Sequence, residues 1–176
     1  MGRQILILSG SPRRQGNTDL LCDEFMRGAS ETGHTVEKVS LAEKRIGFFT
    51  TDFDRQANHQ KDDVAAILDK MLRADVIVLA TPVYFYSLSA QLKALFDRSV
   101  AIYRKMQNKT FYYLLAMADT DPEMFAGTLG ALRGFLACYD GSVEAGYVAA
   151  TGVYGKGEVL KTDFPRQAYE LGRSVQ

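Results

Sequence analysis

The run Ile5-Leu6-Ile7-Leu8-Ser9-Gly10-Ser11-Pro12-Arg13-Arg14-Gln15-Gly16-Asn17-Thr18 decides the fold. Four consecutive apolar residues predict a strand buried on both faces, as in a parallel sheet. A polar turn punctuated by two glycines follows at once. Leu21, Phe25 and Gly28/Ala29 then recur at a helical period over 17–31. Gly33 predicts a left-handed stop to that helix. Strand, short turn and helix within about 30 residues is how a parallel α/β unit begins.

The same alternation continues down the chain. Residues 35–40 mix Val36 and Val39 with Glu37 and Lys38, which predicts a partly wet edge strand. Asp62-Asp63 opens a helix carrying Val64, Ile67, Leu68 and Met71 on one face. Val76-Ile77-Val78-Leu79 predicts a third, fully buried strand, and 87–103 a helix with Leu88, Leu92, Leu95 and Phe96 on one face. A strand over 111–116, a helix opened by Asp121-Pro122-Glu123 and ending near Cys138, a strand over 143–150 and a helix from about 163–165 complete the series. Five strands and five helices in strict alternation predict an α/β, flavodoxin-like, doubly wound parallel sheet of order 2-1-3-4-5 with helices on both faces. One connection is anomalous: 41–61 shows no clear period, and so long a segment in a compact domain is usually functional or mobile.

Composition narrows the function. The 176 residues suit a single domain spanning 1–176. Lys plus Arg and Asp plus Glu are both 21, so the net charge is zero, which argues against nucleic acid as partner. Two cysteines, Cys22 and Cys138, and two histidines offer no zinc pattern. Both thiols are read as buried filler. Four apolar residues near the N-terminus are too few for a signal segment, and no stretch suits a membrane span. The expectation is a soluble cytoplasmic protein.

In open α/β sheets ligands bind beyond the carboxyl ends of the strands, at the point where strand order reverses. Here that point carries the turn 9–18. Hydroxyls, glycines, an amide and two arginines stand at a helix N-terminus, where free N–H groups and the helix dipole favour an anion. A polar turn with an ordinary cap is the alternative. Gly10 and Gly16 have five residues between them and Asn17 follows, so a Walker loop is excluded, as is GxGxxG. A mononucleotide with a terminal phosphate remains. After the third strand comes Thr81-Pro82-Val83-Tyr84-Phe85-Tyr86-Ser87. Its aromatics could hold a flat ring, and its backbone N–H groups could donate to the ring edge. They could equally pack a helix or a partner subunit.

Gly10-Ser11-Pro12-Arg13 with Gly16-Asn17-Thr18, and Thr81 to Ser89 with Leu92-Lys93 and Phe96-Asp97-Arg98, resemble the NADPH-dependent FMN reductase family, nearest its iron–sulfur flavoprotein branch. The resemblance implies bound FMN, with NAD(P)H as co-substrate, and reduction of a small-molecule acceptor such as a flavin or quinone. It implies that Ser9, Ser11, Arg13, Asn17 and Thr18 hold the phosphate, and that Pro82, Val83, Tyr84 and Phe85 hold the isoalloxazine. The loop around Ala118-Asp119-Thr120 would close the other ring edge, through Asp119. No general acid or base is implied, because the cofactor carries the chemistry. A flavodoxin-like electron carrier acting with a protein partner is the alternative, although its strongly acidic surface is missing.

The chain departs from that branch within 41–61. The branch implies a cysteine motif just before Asp62, and this segment contains none, so no iron–sulfur cluster is expected there. Phe48, Phe49 and Phe53 are read instead as apolar anchors that order part of the segment over the flavin face, in this subunit or a partner's, and shape the acceptor pocket; a disordered surface insertion is the alternative. The aromatic residues of the surface connections predict a homodimer or a dimer of dimers.

Overall fold

A computed structural model describes residues 2–50 and 61–176. Phe53 and His59 lie outside the described residues. The strands are β1 (Gln4–Ser9), β2 (Thr35–Ser40), β3 (Val76–Pro82), β4 (Thr110–Ala116) and β5 (Val143–Ala150). They form one parallel sheet of order β2-β1-β3-β4-β5. The helices are α1 (Asn17–Glu31), α2 (Val64–Arg73), α3 (Ala90–Arg98), α4 (Ala126–Leu136) and α5 (Phe164–Arg173). Among the described residues no helix is long and apolar enough to cross a membrane.

Alternation along the strands divides the core in two. Ile5, Ile7, Val76 and Val78 meet Leu21, Cys22, Phe25 and Ala168 beneath α1 and α5. Leu6, Leu8, Ile77 and Leu79 meet Ile67, Leu92, Leu95 and Leu132 beneath α2, α3 and α4. The edge strands are the wetter ones, as polar alternation in 35–40 predicts. Gly33 takes φ +89, and its N–H donates to Ser30 O, so α1 ends as expected.

The α1–α5 pair is set by two glycines. A Cβ on Gly28 would lie 2.1 Å from Tyr169 O, and one on Gly172 would lie 2.2 Å from Phe25 O. Only hydrogen side chains allow the two backbones to approach this closely.

Three expectations need correction. The α3 helix begins at Ala90, not at residue 87, because Ser87 closes a turn and Ser89 is the cap. Its α-helical part also ends at Arg98 and tightens into a 3-10 turn over Ser99–Ile102. Cys138 is exposed, since the chain has already left α4, whereas Cys22 is fully buried. Phe48 is 78% exposed and Phe49 37%, so they are not buried anchors. Ile46 packs on the core instead. Polar contacts hold the ends of this connection: Asp62 accepts from the N–H groups of Gly47 and Val64, and the buried Arg98 donates to Asp62 and to Gly47 O.

Candidate functional site

The site is built from the carboxyl ends of β1, β3, β4 and β5. Gly10 N–H donates to Ala80 O at 2.8 Å, which carries the turn after β1 across to β3. A Cβ on Gly10 would strike Ser89 Oγ at 2.5 Å, so glycine is what lets the turn sit there. Ser11 Oγ accepts from Arg13 N–H at 3.2 Å and donates to Arg13 O at 3.1 Å, which rounds the turn. Gly16 caps α1 in an extended conformation and offers no side-chain acceptor. The first backbone N–H groups of α1 therefore point out of the helix toward the turn. Together with the dipole and Arg13 they give this end of the turn the positive character that suits an anion.

The β3 side ends in an unusual turn. Tyr84 N–H donates to Ser87 O, and Ser87 N–H donates to Tyr84 O, at 2.9 and 3.0 Å. Between them Phe85 and Tyr86 take φ of 49° and 59°. Such two-residue turns ordinarily carry Asn-Gly, because β-carbons are strained there. The turn throws Phe85 wholly into solvent. Gly127 backs it, where a Cβ would lie 2.8 Å from Tyr86 O.

A cleft lies between these turns. Ser11, Arg13, Gly16, Asn17 and Thr18 line one end, and Pro82, Val83 and Tyr84 line the other. Ala116, Met117 and Ala118 form its floor, and Val153 and Tyr154 form a further side. The enclosed volume is about 130 Å³, so a ligand of nucleotide size would project from it and leave a face open to a second molecule. A larger groove of about 450 Å³ lies at the opposite, amino ends of β1 and β2, among Gln4, Thr35, Lys70 and Arg73. It lacks a helix N-terminus and a strand carboxyl end, the features that collect ligands in such sheets.

Seven of the ten residues named from the resemblance line this cleft: Ser11, Arg13, Asn17, Thr18, Pro82, Val83 and Tyr84. Ser9 does not. Alternation puts its side chain with Ile5 and Ile7 on the α1 face, and its buried Oγ has no hydrogen-bond partner among the described residues. Phe85 points away on the strained turn. Asp119 is half-buried and engaged by backbone: its carboxylate accepts from Asp121 N–H and its carbonyl from Gly152 N–H. The expectation of free donors after β3 needs correction at Val83 and Tyr84. Val83 N–H is spent on Ala116 O and Tyr84 N–H on Ser87 O, so this segment offers surface more than hydrogen bonds.

Sequence reading missed Ala116 and Met117 on the floor and, more consequentially, Val153 and Tyr154. Tyr154 and Gly155 N–H groups both donate to the Glu158 carboxylate, at 2.8 and 2.7 Å. Those bonds, the Gly155 one foremost, hold the Glu158 carboxyl below its usual range. Arg13 Nη1 donates to Tyr154 O at 3.3 Å. The available signal was the carboxyl end of β5 followed by glycines at 152, 155 and 157.

No nucleophile is prepared here. Cys22 is on the buried face of α1, and burial pushes its thiol far above the ordinary range. Cys22 and Cys138 lie on opposite faces of the sheet, so this chain does not bring its two thiols together for cluster ligation. The arrangement suits FMN on its own geometry: an anion seat with one cation and outward N–H groups at one end, an apolar slot at the other.

Comparison with known proteins agrees with the geometry. An iron–sulfur flavoprotein of Methanocaldococcus jannaschii is 42% identical over 99 residues, 54% of this chain and 51% of that protein. The match thus spans about half of that relative's length. An iron–sulfur flavoprotein of Archaeoglobus fulgidus is 29% identical over 172 residues, covering 94% of this chain and 76% of that one. Among solved structures, an NAD(P)H:quinone oxidoreductase from Methanothermobacter marburgensis superposes with a TM-score of 0.76 at 18% identity, over 98% of this chain and 96% of its own. The profile of the family described as NADPH-dependent FMN reductase matches residues 3–152, and the chain belongs to that family.

Proposed function

We propose that this protein is an FMN-dependent NAD(P)H oxidoreductase that reduces a small acceptor such as a quinone or a free flavin. The observation that carries the reading is one small cleft lined at one end by Arg13 and the amino end of α1 and at the other by Pro82, Val83 and Met117. Bound FMN would supply hydride acceptance from the nicotinamide and electron delivery to the acceptor. The chain's own residues bind and orient. Arg13 and the α1 amides hold the phosphate. Val83, Tyr84 and Met117 bound the ring and exclude water from its inner side. The open face lets donor and acceptor use the same place in turn.

Steady-state oxidation of NADPH and NADH by the purified protein, with menadione or riboflavin as acceptor and no partner reductase, tests this. Turnover is the expected result. A protein that bound FMN but needed a second reductase would be an electron carrier instead. The reading includes a homodimer or a dimer of dimers, supported by the exposed rings of Phe48, Tyr84, Phe85, Tyr86 and Tyr154. Light scattering showing a monomer at all concentrations would contradict that part.

A further inference from the structure

Asn17 stands at the first position of α1, inside the proposed phosphate seat, yet its side chain is fully engaged elsewhere. Its Nδ2 donates to Val153 O at 3.2 Å and to Gly155 O at 3.0 Å. Its Oδ1 accepts from Val159 N–H at 3.2 Å. Two carbonyls face the NH₂ and one N–H faces the oxygen, so the network itself fixes the amide's orientation. Both donor hydrogens are spent, and an asparagine has no third to give a phosphate.

What Asn17 holds is the connection between β5 and α5. Three further sets of bonds fix the same segment. Glu158 collects the N–H groups of Tyr154 and Gly155, and Arg13 donates to Tyr154 O. Gly152 N–H donates to Asp119 O and Val153 N–H to Met117 O, both at the loop after β4. The segment therefore runs, pinned at each step, from the phosphate turn to the loop that floors the ring slot. Val153 and Tyr154 line the cleft along this path. A connection tied down this completely beside a binding cleft, with an aromatic residue left 75% exposed on it, is arranged to present that residue.

We propose that residues 152–159 are a fourth binding segment of the flavin cleft, with Tyr154 as its contact residue and Asn17 as the positioning residue that holds it. The contact falls on the part of the ligand that riboflavin and FMN share, because the segment is laced to the β4 loop as well as to the phosphate turn. This rests on the reading of the cleft as a flavin site.

The test is titration of the full-length protein with FMN and with riboflavin, read by flavin fluorescence, for the wild type and for Tyr154→Ala, Tyr154→Phe and Asn17→Ala. Tyr154→Ala weakens both flavins by about ten-fold, and Tyr154→Phe stays within about two-fold of wild type, since the ring makes the contact. Asn17→Ala weakens both by about ten-fold or more, leaving the ratio of FMN to riboflavin affinity unchanged. It also speeds amide hydrogen exchange across 152–160 in the flavin-free protein. A loss confined to FMN would return Asn17 to direct phosphate binding and overturn the proposal. Unchanged affinities in Tyr154→Ala, at an exposed position that carries no risk to folding, would also overturn it. A wild-type protein that binds neither flavin would sink the flavin reading itself, and this proposal with it.

Discussion

Arg98 Nη1 donates to Asp62 Oδ2 at 2.7 Å, with the two side chains only 1% and 9% exposed. The pair joins α3 to Asp62, two residues ahead of α2, and through Gly47 to an earlier part of the connection between β2 and α2. Removing Asp62 strips a buried charge of an ion-pair partner, a change that costs about 3–5 kcal/mol. Asp62→Ala should lose that much in urea unfolding. Asp62→Leu combined with Arg98→Met should recover most of it. A loss below about 1 kcal/mol in the single variant would show that the pair is solvated.

The same pair sets a pH response. Burial pushes the Asp62 carboxyl up, but Arg98 and the N–H groups of Gly47 and Val64 outweigh it and hold the group below its ordinary range. A depressed folded value means the contribution is complete above the unfolded value of about 4 and fades as pH falls through the folded one. Wild type should therefore lose its advantage over Asp62→Asn as the pH drops from 5 toward 3. A constant gap between the two across that range would contradict the linkage.

Glycine substitutions should split by position. Gly28→Ala gains helix propensity of about 1 kcal/mol but drives a Cβ into the Tyr169 carbonyl, and overpacking of this kind costs about 1–3 kcal/mol or more. Gly130→Ala meets nothing within 4 Å and should raise stability by about 0.5–1 kcal/mol. Thermal melts of both variants check the contrast. Equal shifts would mean that α1 and α5 are not in the close contact described.

The turn 84–87 stores strain. Replacing Phe85-Tyr86 by Asn-Gly should stabilise the protein by about 1 kcal/mol, because both residues have left-handed backbone angles. Denaturant unfolding measures it. No gain would mean that the two rings find compensating contacts.

Most of the architecture was legible because buried parallel strands are written as plain apolar runs: 5–8, 76–79 and 111–116 all lie within strands, and order 2-1-3-4-5 follows from their alternation with helices. The anion seat was legible because hydroxyls, glycines and arginine cluster in one short turn. Sequence spacing could not show where Asn17 spends its amide, since its partners lie 136 to 142 residues away. Nor could it show that Ser9, one pleat from the cleft, faces α1. Tyr154 was missed because an isolated aromatic among glycines has no pattern of its own. Phe48 and Phe49 misled, since apolar residues signal burial only where a surface waits to receive them.

Titration of the purified protein with FMN, FAD and riboflavin, followed by flavin fluorescence and visible absorbance, tests the cofactor assignment most directly. Saturable binding of one FMN per chain is the predicted result, tighter than FAD and tighter than riboflavin, with Arg13→Ala narrowing the margin over riboflavin. Absence of FMN binding, or stronger binding of FAD, would contradict it.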